Sequence, residues 1–287
     1  MKKHLSQFQF VDIHYHANPD LYKRRYSAME AGRRYQQLQG AVVLKSHLGS
    51  TAVQATMAQK EGLPVFPSIV LNAIAGGLHY RPVIQALAEY QPEFPSRMLV
   101  HLPTITGRKH LSKLSREMAS SLPQNNLNES LTISEMTGKL KPEVIDLIKL
   151  SLDYPIVLST GHASKEETCE VLEACDRMGC KRLLLNQPAN PLCGLNSAEL
   201  TEIAKNNFVW IEQTALTHFL SYQNISDFSD VLCKIPSVIY SSDLGQTTQP
   251  DIETWQVISK KWFEDFGISE RRKEEICLKN PLQLLAI

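Results

Sequence analysis

Short runs of apolar and β-branched residues recur along the chain and end in polar or glycine-containing loops, the pattern of strands buried on both faces. Eight such runs are present: FVDIHYH (10–16), AVVLKSH (41–47), VFPSIVLN (65–72), MLVHLPT (98–104), IVLSTGH (156–162), RLLLNQP (182–188), FVWIEQT (208–214) and VIYSSDL (238–244). Most neighbours are separated by a stretch that reads as helix: SAMEAGRRYQQLQ, TAVQATMAQKEG, RPVIQALAEY, SKEETCEVLEACDRMG, SAELTEIAKNN and a charged segment from Asp251 to Leu285. Ser164 ahead of Glu166 and Glu167, and Ser197 ahead of Glu199, predict N-caps with acidic first turns, which suit the free amides and positive dipole end of a helix. Gly179 predicts the end of the fourth of these helices.

Strands alternating with helices predict a parallel α/β sheet, and eight units favour closure into a (β/α)8 TIM barrel, in which every strand ends on one rim. A doubly wound dinucleotide fold is disfavoured because no G-x-G-x-x-G follows the first strand. The long connection between strands four and five predicts a hairpin insertion, signalled by ESLTISE and a turn at Thr137 and Gly138.

A hydrophobic fraction of 43% supplies a large core, and no linker-like stretch divides the chain, so residues 1–287 are expected to form a single domain. Polar residues Ser120 to Ser130 read as a surface excursion. Thirty basic residues balance thirty acidic ones, which argues against nucleic acid or a membrane surface and for a small-molecule substrate. The opening MKKHLSQFQF lacks the apolar run of a secretory signal, so a cytoplasmic protein is expected. The six cysteines, at 169, 175, 180, 193, 233 and 277, include no CxxC pair and read as reduced and structural, with Cys180 or Cys193 as the alternative, a thiol near a site.

Candidate chemistry lies at the strand ends. His14 and His16 end strand one, His47 strand two, His162 strand five and Asp243 strand eight. Residues two apart on a strand share a face, so His14 and His16 can reach one point, with Asp12 below them. Imidazoles with one carboxylate suit zinc or a neighbouring divalent metal, whose open position would activate water. His101 lies within strand four and reads as a barrel-interior histidine. Glu212 and Gln213, ending strand seven, are placed to orient other groups. His79, after Gly76 and Gly77, is a substrate-contact candidate. Arg24 and Arg25 read either as a grip on an anionic substrate or as a solvated helix start. His4, His110 and His218 carry no functional reading.

With these residues in place the sequence resembles the amidohydrolase superfamily of metal-dependent hydrolases, through VDIHYH on the first strand, STGHAS after the fifth, YSSDLG after the eighth and the terminal NPLQLL. The segments VDIHYHANPDLYKRR, VVLKSHLGST, VLNAIAGGL and STGH further resemble an uncharacterised prokaryotic branch of it. The resemblance implies His14, His16, His162 and Asp243 as metal ligands. One departure stands out: Asn186 occupies the place where a histidine after the sixth strand is usual, and an amide is a poorer zinc ligand that cannot shuttle protons. This favours one ion over two and makes Asn186 a substrate-contact candidate. Some relatives bridge two metals with a carboxylated lysine on strand four. The lysine here, Lys45, is on strand two, and is read as a cation for a substrate carboxylate or phosphate, or, together with His47, as a solvated loop residue.

The expected reaction is hydrolysis of a small-molecule amide, C–N, ester or phosphoester bond by metal-activated water, with Asp243 as proton acceptor and Lys45 and His47 stabilising developing negative charge. A phosphoesterase of the polymerase-and-histidinol-phosphatase kind is the first rival, although Gly245 stands where such enzymes usually carry a histidine. The others are a degenerate metal-free ligand-binding barrel, favoured by Asn186, and a decarboxylase on the same frame. Barrels of this type often pair, so a homo-oligomer is compatible with the reading.

Overall fold

The computed structural model describes residues 7–108, 112–122 and 127–287. Nine strands alternate with helices: β1 (Phe10–His16), α1 (Ala28–Gln37), β2 (Gly40–Lys45), α2 (Ala52–Lys60), β3 (Val65–Phe66), β4 (Ser68–Val70), α3 (Tyr80–Glu89), β5 (Met98–His101), α4 (Pro142–Asp153), β6 (Ile156–Ser159), α5 (Lys165–Arg177), β7 (Leu183–Leu185), α6 (Ser197–Ile203), β8 (Val209–Thr214), α7 (Ala215–Phe219), α8 (Ile225–Lys234), β9 (Val238–Ser241), α9 (Ile252–Asp265), α10 (Glu270–Glu274), a π-helical turn over Glu275–Lys279, and α11 (Asn280–Leu285). His4 and His110 lie outside the described residues.

All strand pairs are parallel, in one sheet of order β1-β2-β3 and a second of order β4 to β9. The division falls inside the single run expected over 65–72, at Pro67. Proline has no amide hydrogen to donate to a ladder, so Val65–Phe66 pairs with β2 and Ser68–Val70 with β5. Side chains span the gap: Ser68 Oγ donates to the Leu44 carbonyl at 2.6 Å, and Thr51 Oγ1 accepts from Ser68 N at 2.9 Å. At the other flank a parallel bridge joins Tyr15 to Leu244, past the end of β9.

Alternation along the strands sorts their side chains into two apolar layers. A central cluster collects Val43, Phe66, Leu99, Val157, Leu184, Trp210 and Ile239 from seven different strands, with Val11 and Ile13 from β1. A larger outer cluster packs the opposite strand faces, among them Leu44, Val100, Leu158, Leu185 and Ile211, against the helices. Near-continuous apolar strands are required by this two-sided burial.

β1 departs from strict alternation. Its register against β2 shifts between Asp12 and Tyr15, where three steps on β1 match two on β2, a bulge of one residue. Val11 and Ile13 therefore point into the central cluster while Tyr15 packs outward on Tyr35 of α1. Asp12 is not placed below the two histidines as two-residue periodicity predicts. It turns to α1, where Tyr35 Oη donates to its Oδ2 at 2.5 Å, while Oδ1 accepts from the amides of His14 and Ser242. Burial raises the Asp12 pKa to about 6 against these bonds.

Several helix ends follow the expected chemistry. Ser164 caps α5 in a full capping box with Glu167. For α6 the cap is Asn196, one residue before the expected Ser197, because the Asn196 side chain reaches the Glu199 amide. The segment after Asp251 breaks into α9, α10, the π turn and α11 instead of running on. In the connection between β5 and α4 the described residues hold two antiparallel bridges, one within it from Ser134 to Leu140 around a turn at Gly138 and one from Met118 to Tyr22. No helix among the described residues is long and apolar enough to cross a membrane.

Candidate metal centre

The loop after β9 is fastened to the end of β1 by backbone bonds from Asp243 N to the His14 carbonyl and from His16 N to the Leu244 carbonyl, both 2.9 Å. Asp243 adopts a left-handed backbone, φ 52°, and so does Gln187 after β7, φ 45°. Such conformations are costly for residues with a Cβ, and two of the four non-glycine instances among the described residues face each other here. Gln187 Nε2 donates to Asp243 Oδ2 at 2.6 Å.

The other carboxylate oxygen meets the imidazoles. His14 Nε2 is 3.0 Å and His16 Nε2 3.3 Å from Asp243 Oδ1. On its far side His14 Nδ1 lies 2.9 Å from Glu212 Oε1, and Glu212 is held by Ser241 Oγ at 2.8 Å and by Gln187 N at 3.1 Å. Glu212 thereby fixes the proton on Nδ1 and turns the Nε2 lone pair towards Asp243, the arrangement by which a second carboxylate orients a metal-binding histidine. Although close to Oδ1, His14 Nε2 is buried and forms no aligned hydrogen bond among the described residues. Two acceptors face each other there, and a cation satisfies both. Positive charge is favoured at this ring: burial opposes it, yet Asp243 and Glu212 outweigh burial and raise the His14 pKa to about 8, so a proton takes that place when no other cation does. Burial would raise Asp243, but His14 and His16 hold it well below the usual carboxylate range. These residues fit a divalent metal ion.

A second group surrounds Asp20, a loop residue whose role is not evident from the sequence. His16, Asp20 and His47 bring ligand atoms within 4.8 Å of one another, as do His14, His16 and Asp243. Asp20 is already neutralised, since Arg24 contacts its Oδ2 through Nη2 at 2.6 Å and Nε at 2.7 Å. Arg24 is buried and is therefore not the solvated helix start of one reading. His47 gives its backbone amide to Asp20 Oδ1 at 2.6 Å, places Nδ1 3.2 Å from Oδ2, and stacks on His16 at 4.9 Å. Burial pushes its pKa down to about 3, against Asp20. Its Nδ1 also lies 3.3 Å from Arg24 Nη2, so His47 is tied into the Asp20–Arg24 pair, and a neutral imidazole brings no positive charge to a developing negative one.

Lys45 is buried and donates to Asn186 Oδ1 at 2.7 Å, its one hydrogen bond among the described residues. Burial lowers its pKa to about 8, opposed by Glu212, Asp243 and Asp20. Asn186 thus serves as a partner for Lys45. His162 lines the same cavity, of about 300 Å³, as His14, His16, Lys45, His47 and Asp243, but its ring is not within either three-residue group. Its turn is set by Gly161, φ 58°, where a Cβ would overlap the Leu102 carbonyl. His101 places Nδ1 2.9 Å from Ser159 Oγ and leaves Nε2 buried without a partner among the described residues. His79 lies elsewhere: its Nδ1 caps α3 by accepting from Arg81 N, and it does not line this cavity. Neither Cys180 nor Cys193 lines it, and all six cysteines are free.

Changing Glu212 to Gln removes the charge behind His14 while keeping its shape. Metal affinity, read by competition with a chromophoric chelator, should fall about 10–100-fold with unchanged secondary structure.

Residues 9–212 match the model of a family described as a family of unknown function, DUF6282. The chain belongs to that family. No curated protein matches this DUF6282 chain. Among solved structures it is similar to an amidohydrolase from Burkholderia multivorans with bound zinc, with 11% identity, 96% of this chain and 98% of the other covered, and a TM-score of 0.53. It is also similar to an uncharacterized TIM-barrel protein from Bordetella bronchiseptica, with 10% identity, the same coverage and a TM-score of 0.54. At these identities the likeness establishes the fold alone: this DUF6282 member shares the α/β, parallel-stranded architecture of those two proteins.

Proposed function

We propose that the chain is a metal-dependent hydrolase acting on an amide, C–N, ester or phosphoester bond of a small molecule, with residues 1–287 as one domain. The two sheets are read as arcs of one closed (β/α)8 barrel, supported by the Tyr15–Leu244 bridge and by the central cluster drawn from both sheets, with a hairpin inserted between β5 and β6. Six unpaired cysteines suit a reducing compartment, the cytoplasm.

One observation carries the proposal: the Nε2 atoms of two buried histidines converge on a single Asp243 oxygen, and that of His14 has no hydrogen-bond partner among the described residues. His14, His16 and Asp243 would hold one divalent ion, zinc foremost, with His162 as the fourth protein ligand. Such an ion, when bound, lowers the pKa of water and polarises the scissile bond. Asp243 accepts the proton released by the attacking water and passes it to the leaving group. Gln187 holds Asp243 Oδ2, fixing the plane of that carboxylate. The Lys45 ammonium stabilises negative charge as it develops on the substrate. Asp20, through Arg24 and His47, keeps the flank beside His16 ordered and electrically balanced.

Elemental analysis tests the reading. Purified protein should carry about one divalent ion per chain, and a chelator should remove it together with hydrolysis of activated esters and amides. Folded protein that takes up no metal when offered zinc, manganese or nickel would refute it.

A further inference from the structure

The cavity above the metal centre is unequally charged. Among the described residues that line it, Arg24, Lys45, Arg108 and Arg116 are cationic and Asp243 alone is acidic. Two of these cations are matched from behind, Arg24 by Asp20 and Arg108 by Glu167, each at 2.6 Å. Lys45 and Arg116 are not. Arg116 forms no ion pair among the described residues, and its guanidinium lies 5.0 Å from the centre of the Tyr22 ring. The Arg24 guanidinium is 5.8 Å from the same ring centre, and Tyr22 meets His47 edge-on at 5.4 Å. Two like charges are thus gathered around one aromatic side chain of the cavity wall.

Lys45 is the stronger signal. It is 2% exposed, and its hydrogen-bond partner is the neutral Asn186 oxygen. Burying an ammonium group is unfavourable unless a counter-charge compensates it. The carboxylates that act on it are Glu212, Asp243 and Asp20. Asp20 is taken by Arg24, and Glu212 by His14. Asp243 is committed to a cation on the reading above, and in that respect the present inference rests on it.

We propose that the substrate carries an anionic group, a carboxylate or a phosphate, bound between Lys45 in the floor of the cavity and Arg116 at its mouth. Both cations line the one cavity that His14, His16, His162 and Asp243 also line. A volume of about 300 Å³ limits the ligand to a small molecule. An anionic substrate supplies the counter-charge that Lys45 lacks, and a neutral one leaves it buried and uncompensated.

Calorimetric titration of inorganic phosphate and of succinate into the full-length protein, metal-loaded and after chelation, tests this. At least one anion should bind both forms, more weakly at high salt, and which one binds identifies the class. Arg116→Gln, an exposed position where the fold is safe, and Lys45→Met should each weaken binding about tenfold or more, the effect of losing a charge-assisted contact. Binding that disappears with the metal, while hydrolysis of neutral amides by the loaded enzyme persists, overturns the anion site and leaves the hydrolase standing. Anion binding that depends on Lys45 and Arg116 in a protein unable to hold metal does the reverse. Absence of binding by both forms, or binding indifferent to both substitutions, overturns the proposal.

Discussion

Gly245→Ala should destabilise the protein by about 3–4 kcal/mol, the sum expected for overpacking and backbone strain acting at one position. Gly245 has φ 115°, a region side chains rarely adopt, and a Cβ there would overlap the His16 carbonyl oxygen and press on its carbonyl carbon. The obstacle is backbone that cannot swing away. The same loop is bonded to β1 by Leu244 to His16 and to the segment after β1 by Gly245 to Arg25. The damage should therefore reach the metal centre. A urea titration followed by far-UV circular dichroism should show the lower midpoint, and the folded fraction should bind metal more weakly than wild type. A midpoint shift under about 1 kcal/mol, within the usual range for a tolerated substitution, would mean that the loop is not held against His16.

Asp243→Asn should lower turnover at least about 10³-fold, since it removes a ligand and the proton acceptor together. The amide retains the volume of the carboxylate, and Gln187 can still contact one of its atoms, so secondary structure should be unchanged. Its Nδ2 cannot serve as an acceptor for a cation, and its oxygen holds no proton at neutral pH. Metal content and activity measured on the same preparation separate the two roles. If metal is retained in full and activity is lost, Asp243 acts chiefly on the proton; full activity would remove it from the mechanism.

The strand ends were readable because their chemistry is local. β1, β8 and β9 each terminate in a polar side chain that an apolar run has no packing reason to contain, and His14, His16, Glu212 and Asp243 do come together. Asp20 and Gln187 escaped notice for a physical reason. Each lies in a loop, where a polar residue is unremarkable, and each acquires its role from partners far along the chain, Gln187 from Asp243 and Asp20 from His47. For Asp20 a weak signal existed in its position four residues after His16. The split between β3 and β4 could have been read from Pro67. Helix α4 was missed, although Pro142 in its first turn and Val144, Leu147 and Ile148 at helical spacing were signals for it. The bulge in β1 was not, because only pairing with β2 defines it.

That bulge has a consequence for how the segment tolerates change. With one surplus residue between Asp12 and Tyr15, β1 switches phase midway, so Val11 and Ile13 fill the interior while His14 and His16 still converge on Asp243. Shortening the stretch by a single residue would restore regular pairing and turn one half of the strand inside out, exposing the centre to the wrong side chains. In this chain a conservative exchange of Val11 or Ile13 should therefore leave the centre in place, whereas removing one residue between Val11 and His14 should not.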